Sequence, residues 1–309
     1  MMPETALPSD SGPVCPACGG LLSFWFTKHT DSGEFAVRRC GQCRSAFVIP
    51  RPDAEALATL YRLGERHELE TVDERYARGL DLEKRHPAMT ADGRRIAARL
   101  RALGAGDRVL DVGAGDGFHS QALAAAAFAV EALEPGATAR EVFRRINGFV
   151  PMDGFLDEPF VAAHAGRYDA VLLSQVMEHL PDPELAAGYL HRLLRPGGIA
   201  VVALPQFRAW LSRLRGRKDM FISPPAHLNF LTQSGLGSLM ERSGFSREFA
   251  ESVTWFDPDR VMRRARVRIL GSVAVAGLRA FFALADRAGG GNLLEGYFRK
   301  TEGKAGIAP

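Results

Sequence analysis

The sequence predicts an α/β fold: a doubly wound, mostly parallel seven-stranded sheet with helices on both faces, preceded by a small four-cysteine module. Three observations carry this expectation. From residue 108 onward, short and nearly continuous apolar runs alternate with segments of helical spacing, the pattern of strands buried on both faces. A turn with three alternating glycines, "VGAGDG" (112–117), follows the first of those runs. All four cysteines of the chain lie within its first 43 positions, as two C-x-x-C pairs.

The 309 residues suffice for one large core with an appendage. A net charge of +3 neither demands nor excludes nucleic acid. Residues 1–14 are polar and Pro-rich, without the apolar stretch of a secretion signal, and read as a flexible N-terminus. The longest apolar run, "ILGSVAVAGL" (269–278), is shorter than the roughly 20 residues that span a bilayer. These features point to a cytoplasmic protein.

Residues 15–50 read as a metal ribbon. "CPACGG" supplies Cys15 and Cys18, and "CGQC" supplies Cys40 and Cys43. Two such knuckles around a segment of strand character complete the four-sulfur tetrahedron that Zn²⁺ prefers. The alternative is a pair of disulfides, which a reducing compartment disfavours. Four sulfur ligands leave no open position, so a zinc here would be structural. A module this small needs the stability that the metal supplies.

Residues 51–90 read as a helical linker. Pro50 and Pro52 end the ribbon, and Asp53 caps a helix with Leu57, Leu60 and Tyr61 on one side, closing at Gly64. The charged stretch 65–80 is a linker or an exposed helix. The main domain spans 91–309 and opens with an amphipathic helix at 92–107, where Ile96, Leu100 and Leu103 share a face. Its strands are "RVLDV" (108–112), "FAVEALE" (128–134), "GFV" (148–150), "YDAVLLS" (168–174), "GIAVVALP" (198–205), "REFAESVTWF" (247–256) and "NLLEGYF" (292–298). Helices at 119–127, 137–146, 184–194 and 232–243 separate them, the last capped by Thr232. Residues 258–289 form a basic amphipathic insertion, five arginines in "RVMRRARVR" and then the apolar run. It packs on the domain or a second subunit, or contacts a membrane surface peripherally.

In an open α/β sheet, ligands lie beyond the carboxyl ends of the strands, with the first strand–helix turn as the usual cradle. A dinucleotide site would read G-x-G-x-x-G. Here the spacing is Gly113, Gly115, Gly117, with Phe118 where that pattern wants its third glycine. Asp111 and Asp116 would repel a pyrophosphate and attract an ammonium or sulfonium centre. Glu134 ends the second strand, 23 residues after Asp111, where an acid accepts hydrogen bonds from both ribose hydroxyls. S-adenosylmethionine, an adenosine with a cationic amino-acid tail, has all of these features.

The ordered set "LDVGAGDG", "ALEPG", "YDAVLLSQVMEHLPDP" and "LLRPGGIAVVALP" resembles the successive motifs of class I SAM-dependent methyltransferases, over residues 90–256. The knuckles followed by "FVIPRP" and "LY" resemble the branch with an amino-terminal zinc ribbon, often linked to sugar, cell-envelope or secondary-metabolite methylation. The resemblance implies a Rossmann-like methyltransferase fold. It also implies that Asp111, Gly113 and Gly115 line the methionine portion and Glu134 the ribose. Asp153 in "PMDGF" would meet the adenine amino group, or else serve only as a turn residue before Gly154. Ser174 and Gln175 would lie beneath the sulfonium and the acceptor.

For the chemistry, "QVMEHLPDP" offers Glu178 and His179, and "ISPPAHLNFLT" (222–232) offers His227. A histidine base would take the acceptor proton, with His179 nearer the methyl and His227 facing the acceptor. Alternatively Glu178 and His179 only brace their loop, and His227 only packs its own. Related quinone O-methyltransferases hold a divalent cation with a similar acidic–His stretch, but Gln175 stands where the first acid is expected. The basic, aromatic "RAWLSRLRGRKDMF" (208–221) suits an anionic or nucleotide-linked small-molecule acceptor, or is a solvated helix face. An RNA acceptor is the rival substrate class, yet from Cys15 to Cys43 the ribbon carries only Lys28, Arg38 and Arg39 as cations. A non-catalytic SAM-binding protein is the third reading.

Overall fold

A computed structural model of the chain describes residues 12–52, 70–85, 88–254 and 268–302. The helix expected at 53–64 and most of the arginine run 260–268 lie outside the described residues.

Alternation along the strands of the main sheet sorts their side chains into two cores. Those strands are β4 (Arg108–Val112), β5 (Ala129–Leu133), β6 (Tyr168–Ser174), β7 (Leu194–Pro205), β9 (Phe245–Val253) and β10 (Leu293–Lys300). One core takes Leu110 and Val112, Val171 and Leu173, Ala200 and Val202. The other takes Val109, Ala170 and Leu172, Ile199 and Val201. Period-two burial on both faces demands helices on both faces, as the apolar runs predict. Helix α2 (Ala88–Ala102) covers the second core with Ile96, Ala97 and Leu100, and α3 (Phe118–Ala125) adds Leu123. Helices α6 (Pro183–Leu193) and α8 (Gln233–Arg242) cover the first. Thr232 is the expected cap of α8, its hydroxyl oxygen accepting the Gly235 N–H at 3.0 Å.

The sheet order is β5-β4-β6-β7-β10-β9. Strands β5, β4, β6 and β7 are mutually parallel, and β10 runs antiparallel to both β7 and β9. The chain leaves β4 for β5 on one side and then returns to β6 on the other. The resulting switch point opens a crevice beyond the carboxyl end of β4. The doubly wound expectation holds, with six strands and one remnant of the seventh. "GFV" forms no strand; Met152 alone makes a parallel bridge to Leu133. Gly148 ends helix α4 (Ala137–Asn147) in the left-handed region, and Pro151 brings no N–H to a ladder. Too little chain is left there for more than one rung.

The ribbon joins the body through a sheet of its own. Strands β1 (Leu22–Thr30), β2 (Gly33–Cys40) and β3 (Ala46–Val48) form an antiparallel meander. Its fourth strand is β8 (Asn229–Phe230), a piece of the "PPAHLNF" loop that pairs with β3. Phe26, Val37 and Val48 from the ribbon pack with Phe207, Ile222 and Phe230 from the body. Helix α1 (Val72–Arg85) starts within the charged stretch expected to be a linker or an exposed helix; it lies over the glycine turn, and Gly79 lets it approach Phe118. Short helices α5 (Glu158–His164) and α7 (Trp210–Arg215) complete the connections, and helix α9 (Arg268–Arg287) fills the insertion. Its Ala285 is buried, whereas Val273, Phe281 and Leu284 are exposed, so the expected packing reaches only part of it. No described helix is long and apolar enough to cross a membrane.

Candidate functional site

The crevice at the switch point is built from backbone first. Gly113, Gly115 and Gly117 all adopt positive φ, at 66°, 56° and 85°, which only glycine does without cost. Leu133 O at the end of β5 accepts the Gly113 and Ala114 N–H groups at 2.8 and 3.2 Å, stitching the turn across the two strands. The three glycines serve different ends. At Gly113 a methyl would meet Val176, and at Gly117 it would run into Phe143 and Asn147. At Gly115 it would meet nothing within 4 Å. Gly115 therefore borders open space, and the turn is a cradle there.

Two buried carboxylates flank the cradle. Asp111, 2% exposed, accepts a hydrogen bond from the Ser120 hydroxyl at 2.7 Å. Glu134 accepts from the Gly115 N–H at 2.9 Å and from the Gly136 N–H at 2.8 Å. Burial pushes the Asp111 carboxyl up, against the pull of His119 and the Ser120 hydrogen bond. Burial likewise raises Glu134, partly offset by its two backbone hydrogen bonds and by Arg75. Both acids thus sit short of positive charge. The donor set fits S-adenosylmethionine: a negative, partly dry crevice suits a cationic tail, and the open face at Gly115 leaves it room. Asp153 stands on the same rim. Arg140 donates to its carboxylate at 2.8 Å and to the Glu134 carbonyl at 3.1 Å. Ser174 is half-buried at the end of β6, and Gln175 beyond it is exposed with φ 58°.

One residue of the cradle escaped the sequence reading. Arg75, on α1, donates to Asp116 at 2.6 Å and so neutralises the acid inside the turn. Charge alone could have suggested it, but nothing in sequence pairs positions 41 apart.

Next to the crevice, beyond β6 and β7, Glu178, His179 and His227 converge. One ligand atom from each lies within 4.8 Å of the others. The two rings meet edge to face, 4.8 Å apart. His179 Nδ1 lies 2.8 Å from the Ala226 carbonyl and His227 Nδ1 lies 2.8 Å from the Phe221 carbonyl. A carbonyl only accepts, so Nδ1 of each ring carries a proton and donates it. His227, Glu178, Phe207 and Ile222 are among the residues around a neighbouring pocket, His227 on its wall. Asn229, 1% exposed, holds this arrangement together. Its amide donates to the Met177 and Leu180 carbonyls at 2.8 and 2.7 Å and accepts from Arg51 at 2.7 Å. Burial lowers the Arg51 guanidinium to about 10.

The four cysteines also meet. Cys15 Sγ lies 3.7 Å from Cys43 Sγ, and Cys18 Sγ lies 3.5 Å from Cys40 Sγ. Tetrahedral zinc with sulfur at about 2.3 Å requires sulfurs about 3.8 Å apart, whereas a disulfide requires about 2.05 Å. The set fits zinc. A hydrogen bond from Cys15, with help from Ser45, lowers Cys43 to about 5, a thiolate ready for a metal.

Comparison with known proteins agrees with this geometry. A family model described as a methyltransferase domain matches residues 82–248. Curated relatives are ubiquinone biosynthesis O-methyltransferases. That of Aromatoleum aromaticum is 32% identical over 152 residues, 43% of this chain and 64% of the relative. That of Azotobacter vinelandii is 37% identical over 98 residues, 30% of this chain and 42% of the relative. The chain thus spans less than two thirds of these relatives. Among solved structures, a SAM-dependent methyltransferase from Thermotoga maritima aligns with TM-score 0.51 at 17% identity, covering 74% of this chain and 99% of that one. The methyltransferase chain in complex with the Trm112 methyltransferase activator of Haloferax volcanii aligns with TM-score 0.52 at 18% identity, covering 75% and 96%. At such identities the likeness is one of fold.

Proposed function

Because the chain belongs to the methyltransferase-domain family, we propose that it transfers a methyl group from S-adenosylmethionine to a small-molecule acceptor bound between the crevice and the ribbon. The observation that carries this reading is the juxtaposition of the Gly115 cradle, flanked by Asp111 and Glu134, with a pocket walled by His227. When bound, the cofactor supplies an activated methyl carbon, so the protein's task is alignment and proton removal.

Glu134 holds the ribose hydroxyls, and Asp111 with the Gly113 and Gly115 backbone holds the methionine portion. Asp153 is positioned for the adenine side, and Ser174 and Gln175 separate cofactor from acceptor. His227 Nε2, with Nδ1 fixed by the Phe221 carbonyl, takes the acceptor proton. His179 stands beside it as the second candidate, its Nε2 3.9 Å from the Glu178 carboxylate, which stabilises an imidazolium in this cluster. The same oxygen and two nitrogens also suit a divalent cation, His227 supplying the third ligand atom. The acceptor is a sugar, cell-envelope or secondary-metabolite intermediate. Against an RNA acceptor stands the ribbon's position: its third strand is occupied by β8, and its apolar face is packed on the body.

The test is transfer of labelled methyl from S-adenosylmethionine into a fractionated metabolite extract, followed by kinetics on the labelled compound. His227→Ala should lower kcat by about 10²-fold or more, the low end for a general base, with cofactor affinity unchanged. His179→Ala should then act mainly on acceptor KM. The reverse pattern moves the proton to His179, and an unchanged kcat in both removes the histidine base altogether.

A further inference from the structure

Where the ribbon joins the α/β body, arginines from distant parts of the sequence come close enough for Arg213, Arg39 and Arg44 to act on the charge of Arg208. Arg39 ends β2 and Arg44 lies in the turn to β3; Arg208 and Arg213 follow β7. Trp25 of β1 links the two sides. The Arg39 guanidinium lies 5.7 Å over its ring, and the ring of Phe207 stands 5.7 Å away on the body. Phe207 lines the acceptor pocket and directly precedes Arg208, whose carbonyl accepts from Arg213 Nε at 2.8 Å.

No carboxylate answers this group among the described residues. Elsewhere on the described surface, Arg75, Arg140, Arg145 and Arg192 each hold a carboxylate at 2.6–2.8 Å. None of the four does so among the described residues. Asp219, the acid nearest to Arg213 in sequence, is buried and accepts from the Phe221 backbone N–H instead. Burial and the three other guanidiniums, Arg213, Arg39 and Arg44, push the Arg208 pKa down. Arg44 and Arg208 also hold positive φ, at 65° and 66°, a strained conformation for a long side chain. Like charges brought together against repulsion and strain are stabilised by an anion between them. Planar guanidinium forks match the tetrahedral oxygens of phosphate.

We propose that Arg39, Arg44, Arg208 and Arg213 form a subsite for a phosphate or diphosphate group carried by the methyl acceptor. The word acceptor rests on the methyltransferase reading; the anion subsite does not. The group could belong to a soluble phosphorylated metabolite or to a lipid headgroup, two sources of one chemistry.

Full-length protein saturated with S-adenosylhomocysteine is titrated by calorimetry with inorganic diphosphate. In parallel it is sedimented with phosphatidylcholine vesicles containing phosphatidylglycerol. Diphosphate should bind, and Arg39→Gln and Arg208→Gln should each weaken binding by about ten-fold, the loss of one charge-assisted hydrogen bond. Rising salt should weaken it further. Arg144→Gln, which breaks an ion pair with Glu141 on α4, should bind as wild type does. Arginine-dependent binding to the vesicles but not to diphosphate assigns the same subsite to a headgroup. Arginine-independent binding, or no binding of either probe, overturns the proposal. S-adenosylhomocysteine affinity and melting temperature are recorded for every variant and should not change. Absent cofactor affinity in the wild type would instead overturn the methyltransferase reading, whatever the anion does.

Discussion

Two glycines two positions apart on one turn, Gly115 and Gly117, should fail in opposite ways. Gly117 needs its positive φ and has Phe143 and Asn147 where a side chain would go, so Gly117→Ala should destabilise the fold by more than the roughly 1–2 kcal/mol of left-handed strain alone. Gly115 borders open space, so Gly115→Ala should cost only about that strain but should weaken cofactor binding disproportionately. Denaturant melts and calorimetry on the two variants check this, and equal losses of affinity per unit of stability would refute it. The flanking acids predict a pH dependence. Both are raised by burial, so each folded pKa lies above its unfolded value. Such a carboxyl contributes stability that is full below the unfolded pKa of about 4 and is lost as pH rises through the folded one. Glu134→Gln should therefore gain melting temperature over wild type as pH climbs from about 4 to about 8, while losing cofactor affinity. A difference that shrinks with rising pH would contradict the assignment. The sequence disclosed these acids because strand ends and glycine turns mark themselves. It could not disclose Arg75, whose role depends on α1 crossing back over a turn 41 residues away.

At the scale of elements, the ribbon is bonded to the loop that follows His227 and not to the glycine turn. The Cys43 carbonyl accepts from the Thr232 and Ser234 hydroxyls at 2.7 and 3.0 Å, and Ser45 Oγ accepts the Thr232 N–H at 3.1 Å. The Val48 N–H donates to the Leu228 carbonyl at 3.0 Å, one residue beyond His227. A metal that orders the knuckles thereby orders the "PPAHLNF" loop, while the glycine cradle hangs from β4 and β5. Purified protein should hold about one zinc per chain, and stripping it should strip amide-exchange protection from residues 222–232 and leave cofactor affinity intact. Protection unchanged in the stripped protein, or no zinc by metal analysis, would overturn this coupling. None of it was legible in the cysteine spacing, which specifies a ligand set and says nothing about what the knuckles lean on.

Across the whole molecule, the parallel sheet and its helices were read from periodicity because each strand there is buried by its own immediate neighbours. The readings that needed revision all lie where distant segments meet. "GFV" looks like a strand and forms none, because Gly148 opens it and Pro151 follows it; the one bridge is made by Met152 beyond it. The charged 65–80 stretch reads as a linker or an exposed helix; the helix forms from Val72, and what the sequence did not show is that it lies against the cradle through Arg75. The few cations of the ribbon and the basic 208–221 stretch are far apart in sequence, and only the packing of the two sheets brings Arg39 and Arg44 near Arg208. The β3–β8 pairing carries a further consequence, in the order of events on the ribosome. Residues 15–48 emerge first, but the strand that closes their sheet is Asn229–Phe230, about 180 positions later. Through most of synthesis β3 presents an unpaired edge, the kind that recruits other chains. Even with its four cysteines gathered, the ribbon must wait for the "PPAHLNF" loop to finish its sheet, so a nascent chain stalled before Asn229–Phe230 has left the ribosome should be more prone to aggregate than one stalled after that strand has emerged.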